Sequence, residues 1–193
     1  MLLDDFKQNC ITLKSDIIVQ KYLIENDTHF FSKVEIDKEF DFKKDISLLL
    51  DVHIRDITIV GSGKLGFSIK PDIEIPGLYR FKEFDSGKTS DLDVAIVSST
   101  LFDKEIRNLY THMSFYKNTW VNRNSLAKYI LKGKIATRFL PLDFKLTKEI
   151  QQVQEKYQMQ YGREVNFEIY KSWYYFETYH QENIKNIQIN LIR

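Results

Sequence analysis

Two aspartates two residues apart, Asp91 and Asp93, follow a glycine-rich turn, Gly61-Ser62-Gly63-Lys64-Leu65-Gly66. Of all the residues in the chain, these have the types and spacing best suited to chemistry. Ser90-Asp91-Leu92-Asp93-Val94-Ala95-Ile96-Val97 reads as a strand, whose side chains alternate between faces. The two carboxylates then share a face, about 7 Å apart along the backbone, while Leu92 and Val94 point into a core. Like charges held this close repel unless something neutralises them. A divalent cation does so: Mg²⁺ takes one or two protein oxygens and keeps its other positions for water and substrate phosphates. Two such ions bridge the attacking and leaving oxygens of a phosphoryl or nucleotidyl transfer. The turn supplies the complement, since exposed backbone N–H groups hold an anion and glycine lets a phosphate approach. The plainer alternative makes Asp91 a turn residue and Asp93 a solvated edge position. It loses ground once the turn is counted together with the pair.

The elements that must position these residues are a strand before the turn and a strand after it. Asp56-Ile57-Thr58-Ile59-Val60 is a short β-branched run of the first kind. Two other motif readings compete for the same stretch. Gly61-x-Gly63-x-x-Gly66 matches the dinucleotide-binding fingerprint, but that motif needs an unbroken helix and then a strand ending in an acid about 20 residues on. Pro71, Pro76 and Gly77 break such a helix. Gly87-Lys88-Thr89 suggests a P-loop, yet the position five residues before Gly87, where a glycine is required, is Lys82.

A glycine-serine turn after a strand, followed by an Asp-x-Asp strand, resembles the nucleotidyltransferase superfamily that includes DNA polymerase beta. Gly61 to Pro71 with Ser90-Asp91-Leu92-Asp93 is similar to bacterial stand-alone nucleotidyltransferase-domain proteins, some of which sit in defence or toxin–antitoxin loci. The likeness covers the middle third of the chain closely and the C-terminal third loosely. It implies that Ser62 contacts a nucleoside triphosphate and that Asp91 and Asp93 bind Mg²⁺ (or Mn²⁺) and are catalytic. Gly61, Ser62, Gly63, Lys64 and Ser90 form the nucleotide-binding set. The superfamily keeps turn and first aspartate close together, whereas positions 61 and 91 here are 30 residues apart. An insertion therefore lies between them. It runs from Phe67 to Thr89, with Asp85-Ser86-Gly87-Lys88 as a turn, and loops of this length are often functional or mobile. Lys82 and Lys88 either reach a triphosphate or are solvated.

The superfamily also places a third carboxylate on a later strand, flanked by apolar residues. Phe167-Glu168-Ile169 fits, within an alternating run from Glu164 to Tyr170. Glu168 would serve as metal ligand or as base for the attacking hydroxyl. Leu142-Asp143-Phe144 also fits locally, although Asp143 beside a helix start has an N-cap as its simpler explanation.

The rest of the chain reads as support. At 193 residues it is long enough for one domain with a substantial core. Its 27 Phe, Tyr and Trp residues argue against disorder. A net charge of +1 gives no global nucleic-acid signal, and the lone Cys10 excludes an intramolecular disulfide. Asp4 and Asp5 interrupt any signal-peptide core, and no apolar run approaches a membrane span, so a cytoplasmic location without membrane partners is expected. Met1 to Val52 reads as mostly helical. Ser15 caps a helix through Ile17, Ile18, Tyr22 and Leu23, Asn26-Asp27-Thr28 turns, and a helix runs from Asp37 or Phe40 to about His53. Further helices are expected over Leu101–Met113, Ser125–Leu131 and Phe144–Tyr161, the last closed by Gly162, and over the aromatic segment from Ser172 to Arg193. Val121 to Lys148 carries seven bases against the single acid Asp143. That stretch lines a pocket for a triphosphate or polynucleotide, or is a solvated face balanced by the acidic N-terminal region.

The expected fold is α+β: one nucleotidyltransferase-like domain with a small mixed sheet, a helical lead-in over 1–53, the core motif over 54–100, and helices plus the third-acid strand over 101–193. The expected activity is Mg²⁺-dependent transfer of NMP from an NTP to a nucleic acid, nucleotide or protein acceptor. The alternative is a catalytically inactive nucleotidyltransferase-fold protein that acts as a nucleotide-binding or partner-binding component of a bacterial defence or toxin–antitoxin system; under either reading the partners beside NTP are RNA or a protein.

Overall fold

The computed structural model of the chain describes residues 3–72, 74–75, 77–115 and 117–192. Pro76, one of the residues breaking the helix after the glycine turn, lies outside the described residues, as do Met1 and Arg193 at the ends of the lead-in and of the aromatic segment. The fold class is α+β, with a four-stranded mixed sheet. No described helix is long and apolar enough to cross a membrane.

Contacts divide the chain into two compact units. The first takes Met1–Phe40, Ile59–Asp93 and Glu177–Arg193; the second takes Asp41–Thr58 and Val94–Phe176. In the first unit, helix α1 (Leu3–Thr12) and helix α2 (Ser15–Ile18), which runs on into a π-helical turn over Val19–Glu25, surround one apolar cluster. Phe6 lies edge-on to Tyr22 and Phe67, at 5.3 and 5.2 Å between ring centres. Ile184 and Ile187 complete the cluster from the C-terminal part of the last helix. That helix also caps α1, because the Gln188 amide donates to the carbonyls of Cys10 and Leu13 at 2.8 Å each. Burial pushes the Cys10 thiol up to about 12, so it packs as an inert apolar group. Lys14 occupies the N-cap of α2, and Ser15, expected there, is its first helical residue. A short helix α3 (His29–Lys33) follows the expected turn; helix α4 (Glu39–Leu50) belongs to the second unit from Asp41 on. Phe42 and Ile46 of α4 are buried, whereas Leu49 is exposed.

The second unit holds two strands of the sheet whole and parts of the other two, residues 57–58 and 94–97. Strand β1 (Ile57–Val60) and strand β2 (Leu92–Val97) are almost wholly buried, which fits their continuous apolar runs. Ser98 caps helix α6 (Ser99–His112), its hydroxyl accepting from the Leu101 N–H at 3.2 Å. Helix α7 (Arg123–Leu131) ends at Gly133 and leads into strand β3 (Lys134–Ala136). Helix α8 (Lys148–Tyr161) closes on Gly162 as expected and is followed by strand β4 (Val165–Tyr170). The sheet order is β1-β2-β4-β3, with β3 antiparallel to β4 and Lys134, Ile135 and Ala136 opposite Tyr170, Ile169 and Glu168. Helix α9 (Trp173–Ile192) completes the chain.

α8 begins four residues later than expected, for a local reason. Phe144 is held in a turn by its N–H bond to the Pro141 carbonyl. Its ring is buried with Leu109, Met113 and Leu126, so the chain must dock there before it can coil.

Candidate functional site

The chain leaves β1 through Gly61, whose φ of +66° suits glycine. The expected turn is a single short helix, α5 (Gly61–Leu65), ended by left-handed Gly66. A Cβ built on Gly61 would stand 3.0 Å from Asp93 Oδ2, so the Asp93 carboxylate lies directly over the turn. A Cβ on Gly63 would meet Leu92 Cδ1 at 2.9 Å and Ile59 Cγ2 at 3.4 Å. The second glycine thus lets α5 sit against both strands. Gly-Ser-Gly is legible as two separate demands: backbone freedom beside a carboxylate, and the absence of a side chain at a packing contact.

Asp93 is the second residue of β2, and its neighbours Leu92 and Val94 are fully buried as the alternation requires. Asp91, just ahead of the strand, is half-buried like Asp93, and Ser62 on α5 is half-buried too. Ser90 is fixed by a reciprocal pair of bonds: its N–H donates to Asp85 Oδ1 at 2.8 Å, and its hydroxyl accepts from the Asp85 N–H at 2.9 Å. Those bonds close the insertion onto the foot of β2. Lys64 takes a different direction from the one the motif suggests. It is buried, and its ammonium donates to the carbonyls of Ile24 (3.3 Å) and Asn26 at the end of the π-helical turn. The positive end of this side chain therefore fastens α5 to the helical lead-in.

The insertion contributes a cation that spacing gave no reason to single out. Lys70 Nζ stands 3.3 Å from Asp93 Oδ2, with Asp93 mostly shielded from solvent and Lys70 mostly exposed. Lys70 also lines a cleft of about 400 Å³ with Ser68, Asp72, Glu74, Arg80 and Lys82. Asp72 shapes that cleft. Its carboxylate accepts from the Ile75 and Glu74 N–H groups at 3.0 and 2.9 Å and pairs with Arg80. The Ile75 N–H, then that of Glu74 and the Arg80 guanidinium, holds Asp72 below the usual carboxylate range. Lys88 stays on the exposed loop.

Among the described residues, no three His, Cys, Asp or Glu side chains gather closely enough to hold a metal ion. A divalent cation here would rest on Asp91 and Asp93 together with substrate phosphates, as Mg²⁺ commonly does. The residues fit such an ion: Asp91 and Asp93 are half-buried hard oxygen donors, the Asp93 carboxylate lies beside the glycine turn, and the Lys70 ammonium already meets it. Lys70 then competes with any metal. Lys70→Ala is expected to tighten Mn²⁺ binding roughly threefold, a size set by the weak coupling of an exposed ammonium. Titration followed by electron paramagnetic resonance reads this directly, and an unchanged affinity would mean that the metal does not use Asp93.

Glu168 belongs to the second unit. Its Oε2 is 2.8 Å from the buried Lys134 Nζ and accepts from the Tyr170 hydroxyl at 3.2 Å. Burial pulls the Lys134 ammonium below its ordinary value, and the Glu168 carboxylate opposes that shift. Asp143 is 80% exposed and pairs with His112 Nε2 at 3.2 Å, outside α8 and so not its N-cap. The structure therefore brings together Gly61, Ser62, Gly63 and Asp93 with Lys70. It directs Lys64 inwards and gives Glu168 a lysine partner. No family model, no curated protein and no solved structure matches the chain.

Proposed function

We propose that the chain is a metal-dependent nucleotidyltransferase that transfers NMP from an NTP, and that it is related to the DNA polymerase beta-like superfamily. One observation carries the reading: the Asp93 carboxylate lies against Gly61, at the turn where backbone N–H groups would meet a phosphate tail. In this reading Asp91 and Asp93 would hold Mg²⁺, which would supply neutralisation of the phosphate charge. Ser62 and the Gly61 and Gly63 backbone orient the β- and γ-phosphates. Lys70 moves from Asp93 to the tail as the nucleotide enters. The Asp91→Ala, Asp93→Ala double variant is expected to lose transfer of radiolabel from NTP by at least a thousandfold, the scale of lost charge stabilisation at a transferring phosphate. An unchanged rate would remove the assignment.

A second reading is favoured by the Lys134–Glu168 pair, which occupies the carboxylate nominated as third acid. A nucleotide-binding or partner-binding component without turnover would show NTP binding but no pyrophosphate release.

A further inference from the structure

The near-neutral net charge conceals a division. The first unit carries 16 acids and 12 bases; the second carries 11 acids and 16 bases. Within the second unit the bases are interleaved with aromatic rings around Tyr129. Lys132 Nζ, Lys134 Nζ and the Arg138 guanidinium stand 5.8, 5.7 and 5.7 Å from the Tyr129 ring centre. Arg138 also donates to the Tyr129 hydroxyl at 3.1 Å and lies 4.8 Å over Phe139. Lys134 is buried against Glu168, so outward charge comes from Lys132, Arg138 and Lys128, all exposed, with Lys128 one helical turn before Lys132. Beneath the patch, the buried Gly133 carries the Tyr175 ring. Tyr174 follows, 5.4 Å from Tyr175 between ring centres and 69% exposed.

We infer that this face of the second unit, from Arg138 and Lys132 to Tyr174, binds single-stranded polynucleotide. A strand needs spaced cations along its backbone and exposed aromatic faces for its bases, and the second unit presents both, the exposed Lys128, Lys132 and Arg138 and the exposed Tyr174. A duplex hides its base faces and gains nothing from Tyr174. An acidic polypeptide matches the charge but has no planar bases to stack. The inference goes beyond the transfer reading and does not need it, because every group invoked lies away from Asp91 and Asp93 in sequence and in the other unit.

The test is fluorescence anisotropy with a labelled oligouridylate of roughly 15 nucleotides, a length that spans a typical single-strand site. Deoxythymidylate of equal length, a duplex and polyglutamate serve as the comparison ligands. Binding is expected to oligouridylate or oligodeoxythymidylate, the stronger of the two naming the polymer, and to exceed the duplex and polyglutamate. Lys132→Glu with Arg138→Glu should weaken it more than roughly tenfold and reduce the salt slope by about 1. Tyr174→Ala should weaken it roughly five- to tenfold. Lys185→Glu, in the first unit, should change it less than about twofold, as expected where no phosphate is contacted. The Asp91→Ala, Asp93→Ala protein should bind like the parent, which separates this inference from the fate of the transfer assay. Equal binding of polyglutamate or duplex, or unchanged binding in the folded Lys132/Arg138 and Tyr174 variants, overturns it.

Discussion

Glu168→Ala is expected to destabilise the protein by about 3–5 kcal/mol at neutral pH, because it removes the carboxylate from a buried ammonium. Lys134 is 3% exposed, and its ammonium is 2.8 Å from Glu168. Burial already disfavours its charged form. Without Glu168 the lysine has an escape: it can fold neutral. That sets a ceiling. Deprotonating a lysine of ordinary pKa near 10.4 at pH 7 costs about 5 kcal/mol, and the cost falls by about 1.4 kcal/mol for each pH unit above that. The sign follows from proton counting. In the variant the unfolded chain binds one more proton than the folded chain, so stability rises with pH up to the lysine's unfolded pKa. Denaturant melts at pH 7 and pH 9 should therefore show a smaller defect at the higher pH. Lys134→Met combined with Glu168→Leu should return most of the stability, since well-packed apolar residues replace a buried pair at little cost. The same double variant decides the role of Glu168. If it folds and still transfers NMP, Glu168 is a structural partner of Lys134 and not a third acid. A small, pH-independent defect in Glu168→Ala would mean that the pair is not formed as described.

The reading of Glu168 shows where sequence runs out. Its alternation with Val165, Phe167 and Ile169 was visible, and β4 forms there. What was not visible is the partner. β3 has only three residues, one of them a lysine, too few for a period-two signal, and it exists because β4 pairs with it. In the sequence Lys134 is one of seven bases in a stretch that reads either as pocket-lining or as a solvated face, and only tertiary pairing reveals that it is internal. Lys64 is the mirror case. The motif suggested a phosphate, but the carbonyls of Ile24 and Asn26, 40 and 38 residues away, take its charge. The π-helical turn that presents those carbonyls has no pattern of its own in the sequence. By contrast, β1, β2, the capped end of α8 and the apolar flanks of Asp93 were legible, because each depends on local spacing or on a single glycine.

Gly133 provides the second large effect, and it tests the packing beneath the aromatic, basic face. Its φ is +64°, and a Cβ there would fall 2.2 Å from Tyr175 Cγ and 2.5 Å from Cδ1 and Cδ2, against the face of the ring. Neither side yields easily. Gly133 is tied to α7 by its N–H bond to the Ile130 carbonyl, and its own carbonyl accepts from the Lys171 N–H at the end of β4. Tyr175 stands on the first turn of α9, its N–H bonded to the Ser172 carbonyl. Gly133→Ala should therefore cost the left-handed strain of about 1 kcal/mol plus an overpacking penalty of about 1–3 kcal/mol. Gly162 separates the two contributions. It has nearly the same φ, +60°, but nothing within 4 Å of its Cβ position, so Gly162→Ala should show the strain alone. Removing the ring should then relieve only the clash: Gly133→Ala with Tyr175→Ala is expected to be less destabilised than the sum of the single variants, by about 1–2 kcal/mol of coupling. Equal costs at Gly133 and Gly162, or strict additivity with Tyr175→Ala, would show that the ring does not lie on Gly133.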